Sequence, residues 1–162
     1  MERVSKIQYY LDIAGTVATR STCMRRCFGA IIVKNDSIVS TGYNGAPRGR
    51  KNCNDIRYCV REKLQIPRGE RYELCRSVHA EQNAVIAASR EDMIGATLYM
   101  TCLDPKDHHV MGNVCSCSMC KRSIINAGIE KVVVQEENGG YSVYKVKDWI
   151  ENDESLDGTK GY

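Results

Sequence analysis

The sequence predicts a single α/β domain in which helices cover a mixed β-sheet. Segments with helical spacing of apolar residues alternate with short β-branched runs, which is typical of a sheet covered by helices on its faces. A chain of 162 residues with 43% apolar residues can bury one sizeable core but is short for two ordinary domains. We therefore predict one domain over residues 1–150, followed by a polar, Gly-containing tail over residues 151–162.

The first half of the chain predicts a helix, a hairpin and a long irregular segment. Residues 4–20 carry apolar side chains near helical spacing. Residues 28–44 are two β-branched runs around the turn-forming Asn35 and Asp36, which indicates a β-hairpin. Residues 44–76 are polar and interrupted by Gly and Pro. A loop of that length needs something to hold it, and a bound metal would serve.

The second half predicts alternating helices and strands. Helical character returns at HAEQNAVIAASRED, and a strand follows at ATLYMT. After an irregular stretch the helix CSMCKRSIINAG ends at Gly128, a residue typical of helix C-termini. IEKVVVQ predicts a buried strand, GYSVYKV another extended segment, and the remaining residues a short helix.

Composition excludes several classes of protein. The opening residues are charged at helical intervals and no apolar run reaches spanning length, so we predict neither a signal peptide nor a membrane span, and a cytoplasmic location. Nine cysteines then favour metal binding over disulfides. The net charge of +3 argues against a polynucleotide partner. Residues 44–78 nevertheless hold nine Lys/Arg against four acids, which suits a phosphate-bearing substrate or simply a solvated face.

Two predicted helices begin with side chains that are typical of zinc sites. His79 and Glu81 stand at the start of one helix, and Cys117 and Cys120 stand at the start of the other. Cysteines three residues apart on a helix face the same side, and the helix N-terminus favours the thiolate that zinc needs. With the imidazole they make three protein ligands, the pattern of a catalytic zinc whose fourth position stays open to water.

Glu81 is the predicted proton carrier of this site. It lies two residues from His79, so its carboxylate can reach the water without binding the metal. It can take a proton from the water and deliver it to the ring nitrogen of an aminopyrimidine and later to the departing ammonia. Each motif alone also occurs in purely structural settings. The pair in this order is far more specific, because it matches the H-x-E and C-x-x-C signature of zinc deaminases.

The segments STGYNGAPRG, SVHAEQNAV, GATLYMT and CSMCKRSIINAGIEKVVV lie in family order within residues 28–134. With them the chain resembles the cytidine and deoxycytidylate deaminase superfamily, and its deoxycytidylate branch in particular. The resemblance implies a three-layer α-β-α sandwich with a central five-stranded mixed sheet, a homo-hexamer, and hydrolysis of deoxycytidylate (dCMP) to deoxyuridylate (dUMP) under control of dCTP and dTTP. It assigns zinc to His79, Cys117 and Cys120, proton transfer to Glu81, and substrate contacts to Asn44 and Ala80.

Some members of this branch carry a second, structural zinc. The resemblance implies Cys23 and Cys53 as ligands of such an ion, and Cys59 and Cys75 could complete the set. The alternative is that these four cysteines are free thiols that behave as small buried hydrophobes.

The chain departs from the family pattern at two places. Ser116 stands where the family usually has proline, and residues 104–115 form an insertion that carries His108 and His109. We expect the insertion to reshape the mouth of the substrate site and to be an exposed polar loop rather than an extra metal site. The residues that contact the phosphate stay open; the candidates are Arg25, Arg26, Arg48 and Lys51.

Two other functions compete with hydrolysis of deoxycytidylate. The same zinc chemistry would serve a deaminase of cytidine, guanine or transfer-RNA adenosine. A zinc-stabilised interaction module without chemistry would also use the cysteines, but it has no need of a carboxylate at Glu81.

Overall fold

The computed structural model of the protein describes residues 1–152 and is built on a five-stranded sheet in the order β2-β1-β3-β4-β5. The strands are β1 (Cys27–Lys34), β2 (Ser37–Tyr43), β3 (Thr97–Leu103), β4 (Lys131–Gln135) and β5 (Tyr141–Lys145). β3 and β4 are parallel, and the other three neighbouring pairs are antiparallel. The predicted five-stranded mixed sheet is confirmed.

Residues 1–152 also form seven helices: α1 (Lys6–Ala18), α2 (Cys53–Ile56), α3 (Val60–Lys63), α4 (Ala80–Ile86), α5 (Arg90–Met93), α6 (Ser118–Ala127) and α7 (Val146–Glu151). Alternate residues of a strand face opposite sides. On β1, Ile31 and Val33 therefore pack with α1, while Ala30 and Ile32 belong to the core beneath α4 and α6. The predicted three-layer α-β-α arrangement follows from these two cores.

The structure differs from the predicted elements at three points. The helix predicted over residues 79–92 is two helices, α4 and α5, because the Ser89 hydroxyl accepts a hydrogen bond from the Asp92 amide (3.2 Å) and so begins a new helix. The irregular segment 44–76 contains α2, α3 and a 3-10 turn at Tyr72–Leu74. The last helix already begins at Val146, and residues 153–162 of the predicted tail lie outside the described residues.

Gly42 on β2 lets the sheet and α4 approach each other closely. A Cβ atom at this position would lie 2.3 Å from the Ala80 carbonyl oxygen and 2.4 Å from the Ala84 amide nitrogen. Because non-bonded atoms do not approach so closely, only glycine permits this contact. It places the N-terminus of α4, with the predicted site residues, directly over the sheet. None of the helices in residues 1–152 has the length and apolar character needed to cross a bilayer.

Candidate active site

The structure brings the three predicted zinc ligands together between the N-termini of α4 and α6. His79 is the N-cap residue of α4 and Cys117 is the N-cap residue of α6. The Nδ1 atom of His79 lies 3.5 Å from Cys117 Sγ and 3.3 Å from Cys120 Sγ. One ligand atom from each residue lies within 4.8 Å of the other two. One imidazole and two thiols at this spacing fit the donor set that zinc prefers.

The electrostatics of the cluster favour a bound cation. Hydrogen bonding within the cysteine pair lowers the pKa of Cys117 and raises that of Cys120, so the two sulfurs share one negative charge readily. Burial alone would lower the pKa of His79, but hydrogen bonds to Cys117 and Cys75 raise it to about 10. The cluster therefore places thiolate charge beside an imidazole. A divalent cation can replace the bound protons that neutralise this charge.

Glu81 lies in the first turn of α4 beside this cluster and is only 5% exposed. Burial is the main reason that its pKa lies above the usual value, although the neighbouring His79 acts in the opposite direction. A buried carboxyl group with a raised pKa holds a proton more readily than an exposed one, which suits a group that accepts and returns protons. The geometry therefore supports the proton-carrier role that the sequence predicts for Glu81.

A cavity of 610 Å³ opens over the cluster, and its wall is strongly basic. Glu81 is the only carboxylate that the described residues contribute to the wall. Against it stand five cationic side chains: Arg25, Arg26, Arg61, Arg68 and Lys121. Of the four predicted phosphate candidates, Arg25 and Arg26 lie in the wall, whereas Arg48 and Lys51 do not belong to it.

The two predicted substrate residues also line the cavity. The Asn44 side chain is buried and anchors the neighbouring segment, because its Oδ1 accepts hydrogen bonds from the Phe28 amide (2.9 Å) and the Ser21 hydroxyl (2.5 Å), and its Nδ2 donates to the Arg26 carbonyl (2.9 Å). One Nδ2 proton is left for a ligand. Ala80 is the first residue of α4 and is fully buried. A backbone amide at this helix position has no intrahelical partner and can donate to a ligand.

A stack of side chains packs against His79, the predicted metal ligand, and the sequence did not predict this stack. The Arg61 guanidinium lies over the Tyr72 ring at 4.4 Å, and Tyr72 meets His79 edge-on at 5.3 Å between centroids. Arg61 Nη2 also donates to the carbonyls of Pro67 (2.8 Å) and Glu70 (2.6 Å). The sequence shows only a run of basic residues over this segment. It does not reveal that Arg61 is buried and organises residues 57–76 around the site.

The chain is similar to known zinc-binding proteins. The family model described as the cytidine and deoxycytidylate deaminase zinc-binding region matches residues 4–136. The chain belongs to this family. Because this family model describes a zinc-binding region, zinc is the metal that the family binds.

Relatives within the family share much of the chain. The deoxycytidylate deaminase of Mycobacterium phage D29 is 38% identical over 143 residues, which covers 85% of this chain and 100% of that protein. The deoxycytidylate deaminase of Schizosaccharomyces pombe is 34% identical over 131 residues, but the chain spans only 37% of that protein's length.

Two solved structures show the same architecture. The dCMP deaminase of cyanophage S-TIM5, crystallised in complex with dCMP and dUMP, is 26% identical with a TM-score of 0.57 and covers 93% of this chain and 91% of its own. The cytidine deaminase of Burkholderia pseudomallei is 16% identical with a TM-score of 0.55 over 90% of this chain and 95% of its own, and it shares the fold.

The remaining predicted metal residues do not form a compact cluster. Within residues 1–152, the cysteines predicted for a second zinc do not bring three sulfurs within 4.8 Å of one another. They are nevertheless neighbours: after burial, the charges of Cys23, Cys75 and Cys59 contribute to the raised pKa of Cys53. Cys115 is exposed and stands outside the three-ligand group.

The insertion also holds a group of donors at short range. Ligand atoms of Asp104, Asp107 and His109 lie within 4.8 Å of one another. Asp107 and His109 are exposed and pair with each other, with 2.6 Å between His109 Nδ1 and Asp107 Oδ1. This pairing fits the exposed polar loop that the sequence predicts.

Proposed function

We propose that this chain is a zinc-dependent deaminase that hydrolyses deoxycytidylate to deoxyuridylate and ammonia. The observation that carries the proposal is the buried carboxyl group of Glu81 beside the cluster of His79, Cys117 and Cys120, at the wall of a basic cavity. The relative in phage D29 bears the name deoxycytidylate deaminase, and the cyanophage enzyme was crystallised with dCMP and dUMP.

The chain supplies the binding and proton-transfer parts of the reaction. His79, Cys117 and Cys120 would hold the zinc, which when bound acts as a Lewis acid toward the attacking water. Glu81 accepts a proton from that water and delivers it to the ring nitrogen next to the carbon under attack. Glu81 then takes the second proton from the hydroxyl group newly added to that carbon and moves it to the amine, so the carbon–nitrogen bond breaks, a carbonyl group forms and ammonia leaves.

The rest of the cavity selects a nucleotide. The Asn44 side-chain amide and the Ala80 backbone amide are our candidates for contacts with the sugar and the base, because both residues line the same cavity as Glu81. Arg25 and Arg26 present positive charge to the same space and are our candidates for the phosphate. Arg25 forms a half-exposed ion pair with Glu62 (2.9 Å), which partly neutralises its charge. Arg26 is therefore the stronger of the two candidates.

Replacement of Glu81 by glutamine tests the chemistry. Glutamine keeps the size of the side chain but cannot carry a proton, so we expect turnover of deoxycytidylate to fall by roughly 10²–10⁴-fold or more while zinc stays bound. The exposed Glu130→Gln variant is the matched control and should keep its activity. Full activity of the Glu81 variant would refute the proposed mechanism and leave a structural zinc module as the better reading.

A substrate panel tests the specificity. Wild-type protein loaded with zinc should release ammonia from deoxycytidylate faster than from deoxycytidine, cytidine, guanine or transfer-RNA adenosine, since only the nucleotide places a compact phosphate among the arginines. Activity on cytidine with none on deoxycytidylate would overturn the choice of substrate.

Zinc content tests the ligands. We expect Cys120→Ala to lose the catalytic zinc, because the buried thiol is one of three protein ligands, whereas Cys115→Ala should bind zinc as the wild type does. The second, structural zinc on Cys23, Cys53, Cys59 and Cys75 stays a proposal. Two zinc ions per chain, reduced to one by Cys53→Ser, would support it, and one ion unaffected by that change would dispose of it.

Assembly, regulation and location also stay proposals from the family resemblance. We expect a homo-hexamer by analytical ultracentrifugation, and we expect dCTP and dTTP to change the activity. We also expect the protein to be cytoplasmic, which fractionation of cells that express it would test.

A further inference from the structure

The cavity wall collects buried polar atoms that have no partner. Within residues 1–152, three buried side-chain atoms lack a hydrogen-bond partner: Arg61 Nε, Ser77 Oγ and Ser116 Oγ. All three residues line the cavity over the zinc ligands. Native proteins give nearly all buried polar groups a hydrogen-bond partner. Unpaired polar atoms concentrated in one wall therefore indicate groups that form hydrogen bonds during function.

Ser116 is the member of this set that lies at the reaction centre. Its side chain is 2% exposed, and it directly precedes Cys117, the N-cap residue of α6. The buried Glu81 carboxyl group lies in the wall of the same cavity, and Ser116 is close enough to it to act, against the larger effect of burial, to lower the Glu81 pKa. The unpartnered Ser116 hydroxyl and the Glu81 carboxyl group are thus neighbours in one wall.

We propose that the Ser116 hydroxyl is a positioning group that donates a hydrogen bond to the Glu81 carboxylate and holds it in line with the reacting ring. The proposal rests on the deaminase function proposed above. Ser116 keeps its own proton throughout, and Glu81 alone transfers protons. One carboxylate oxygen accepts the serine hydrogen bond, and the other is left free to exchange protons with water, ring nitrogen and amine.

The chemistry of the position explains why the hydroxyl matters. Ser116 stands where the resembling family usually has proline, whose side chain cannot donate a hydrogen bond. A donor to a carboxylate in a buried, low-dielectric site contributes more than a neutral hydrogen bond does. Loss of one such bond corresponds to roughly a ten- to hundredfold decrease in a rate that depends on it.

Paired substitutions of the zinc-loaded protein separate this role from simple space filling. We expect Ser116→Ala to lower kcat for deoxycytidylate by roughly ten- to a hundredfold, with KM changed less than about threefold and zinc content unchanged. Ser116→Thr, which keeps the hydroxyl, should restore most of the rate. Ser123→Ala removes a hydroxyl on α6 that bonds only its own helix, to the Met119 carbonyl, and should leave kcat unchanged.

The opposite results would overturn the proposal. An alanine variant with wild-type kcat, or alanine and threonine variants equally impaired with zinc lost, would assign Ser116 a purely structural role. A crystal structure of the zinc-loaded protein gives a readout that does not depend on turnover. Ser116 Oγ should lie within about 3.2 Å of a Glu81 carboxylate oxygen. This readout does not depend on which substrate the protein uses. A separation too long for a hydrogen bond refutes the positioning role, and an observed bond supports it.

Discussion

Gly42→Ala should disturb the active site from the opposite side of α4. The new Cβ atom would lie 2.3 Å from the Ala80 carbonyl oxygen, so α4 must withdraw by roughly 0.7 Å to restore a 3.0 Å separation. Overpacking of this kind costs about 1–3 kcal/mol of unfolding free energy. Because His79 and Glu81 lie at the N-terminus of α4, the shift also moves both from the cysteines of α6.

The functional effect follows from the size of that shift. A displacement of about 1 Å in a catalytic constellation costs on the order of a hundredfold in rate, so we expect kcat/KM of Gly42→Ala to fall by roughly ten- to a hundredfold. Zinc content and thermal unfolding should be measured on the same sample. Gly15→Ala on α1 is the control, since its Cβ atom would meet only Thr101 Cγ2 at 3.6 Å and alanine favours the helix by up to about 1 kcal/mol. A Gly42→Ala protein with wild-type activity and stability would refute the close-contact argument.

Three further outcomes are expected. Ile124→Ala empties a fully buried site on α6 and should lower the unfolding free energy by about 2–5 kcal/mol in denaturant titrations, whereas Ile86→Ala at a 75% exposed position should change it by less than about 0.5 kcal/mol. The Tyr10 hydroxyl donates to Asp36 (2.6 Å), and this bond, together with burial of the hydroxyl, raises the pKa of Tyr10 from 10.0 to about 12. Its contribution to stability is therefore present below pH 10 and lost as the pH rises to about 12; a Tyr10→Phe protein with the same decline would contradict this assignment. Removal of zinc by a chelator should abolish activity and lower the unfolding temperature, because the ion binds only the folded chain, and zinc should restore both.

Local spacing in the sequence was enough to predict the chemistry of the site. His79 and Glu81 begin one helix and Cys117 and Cys120 begin another, so the direction of each side chain follows from helix geometry within a few residues. The hairpin could be predicted for the same reason: Asn35 and Asp36 adopt positive φ (50° and 60°), as a tight turn between two strands requires.

The cavity wall could not be predicted, because it is made by segments far apart in the chain. Arg61 and Arg48 are both basic residues of one polar stretch, yet of the two only Arg61 lies in the wall, with its guanidinium over the Tyr72 ring. In the sequence, Ser116 is a replacement of the family's usual proline at the start of a helix. Only the packing of the chain buries its hydroxyl near Glu81. The sequence by itself thus determined which side chains stand at the starts of α4 and α6 and are proposed for the chemistry, since that depends on short-range periodicity. Only the tertiary structure decided which neighbours tune and orient them, since that depends on how distant surfaces fill a shared volume.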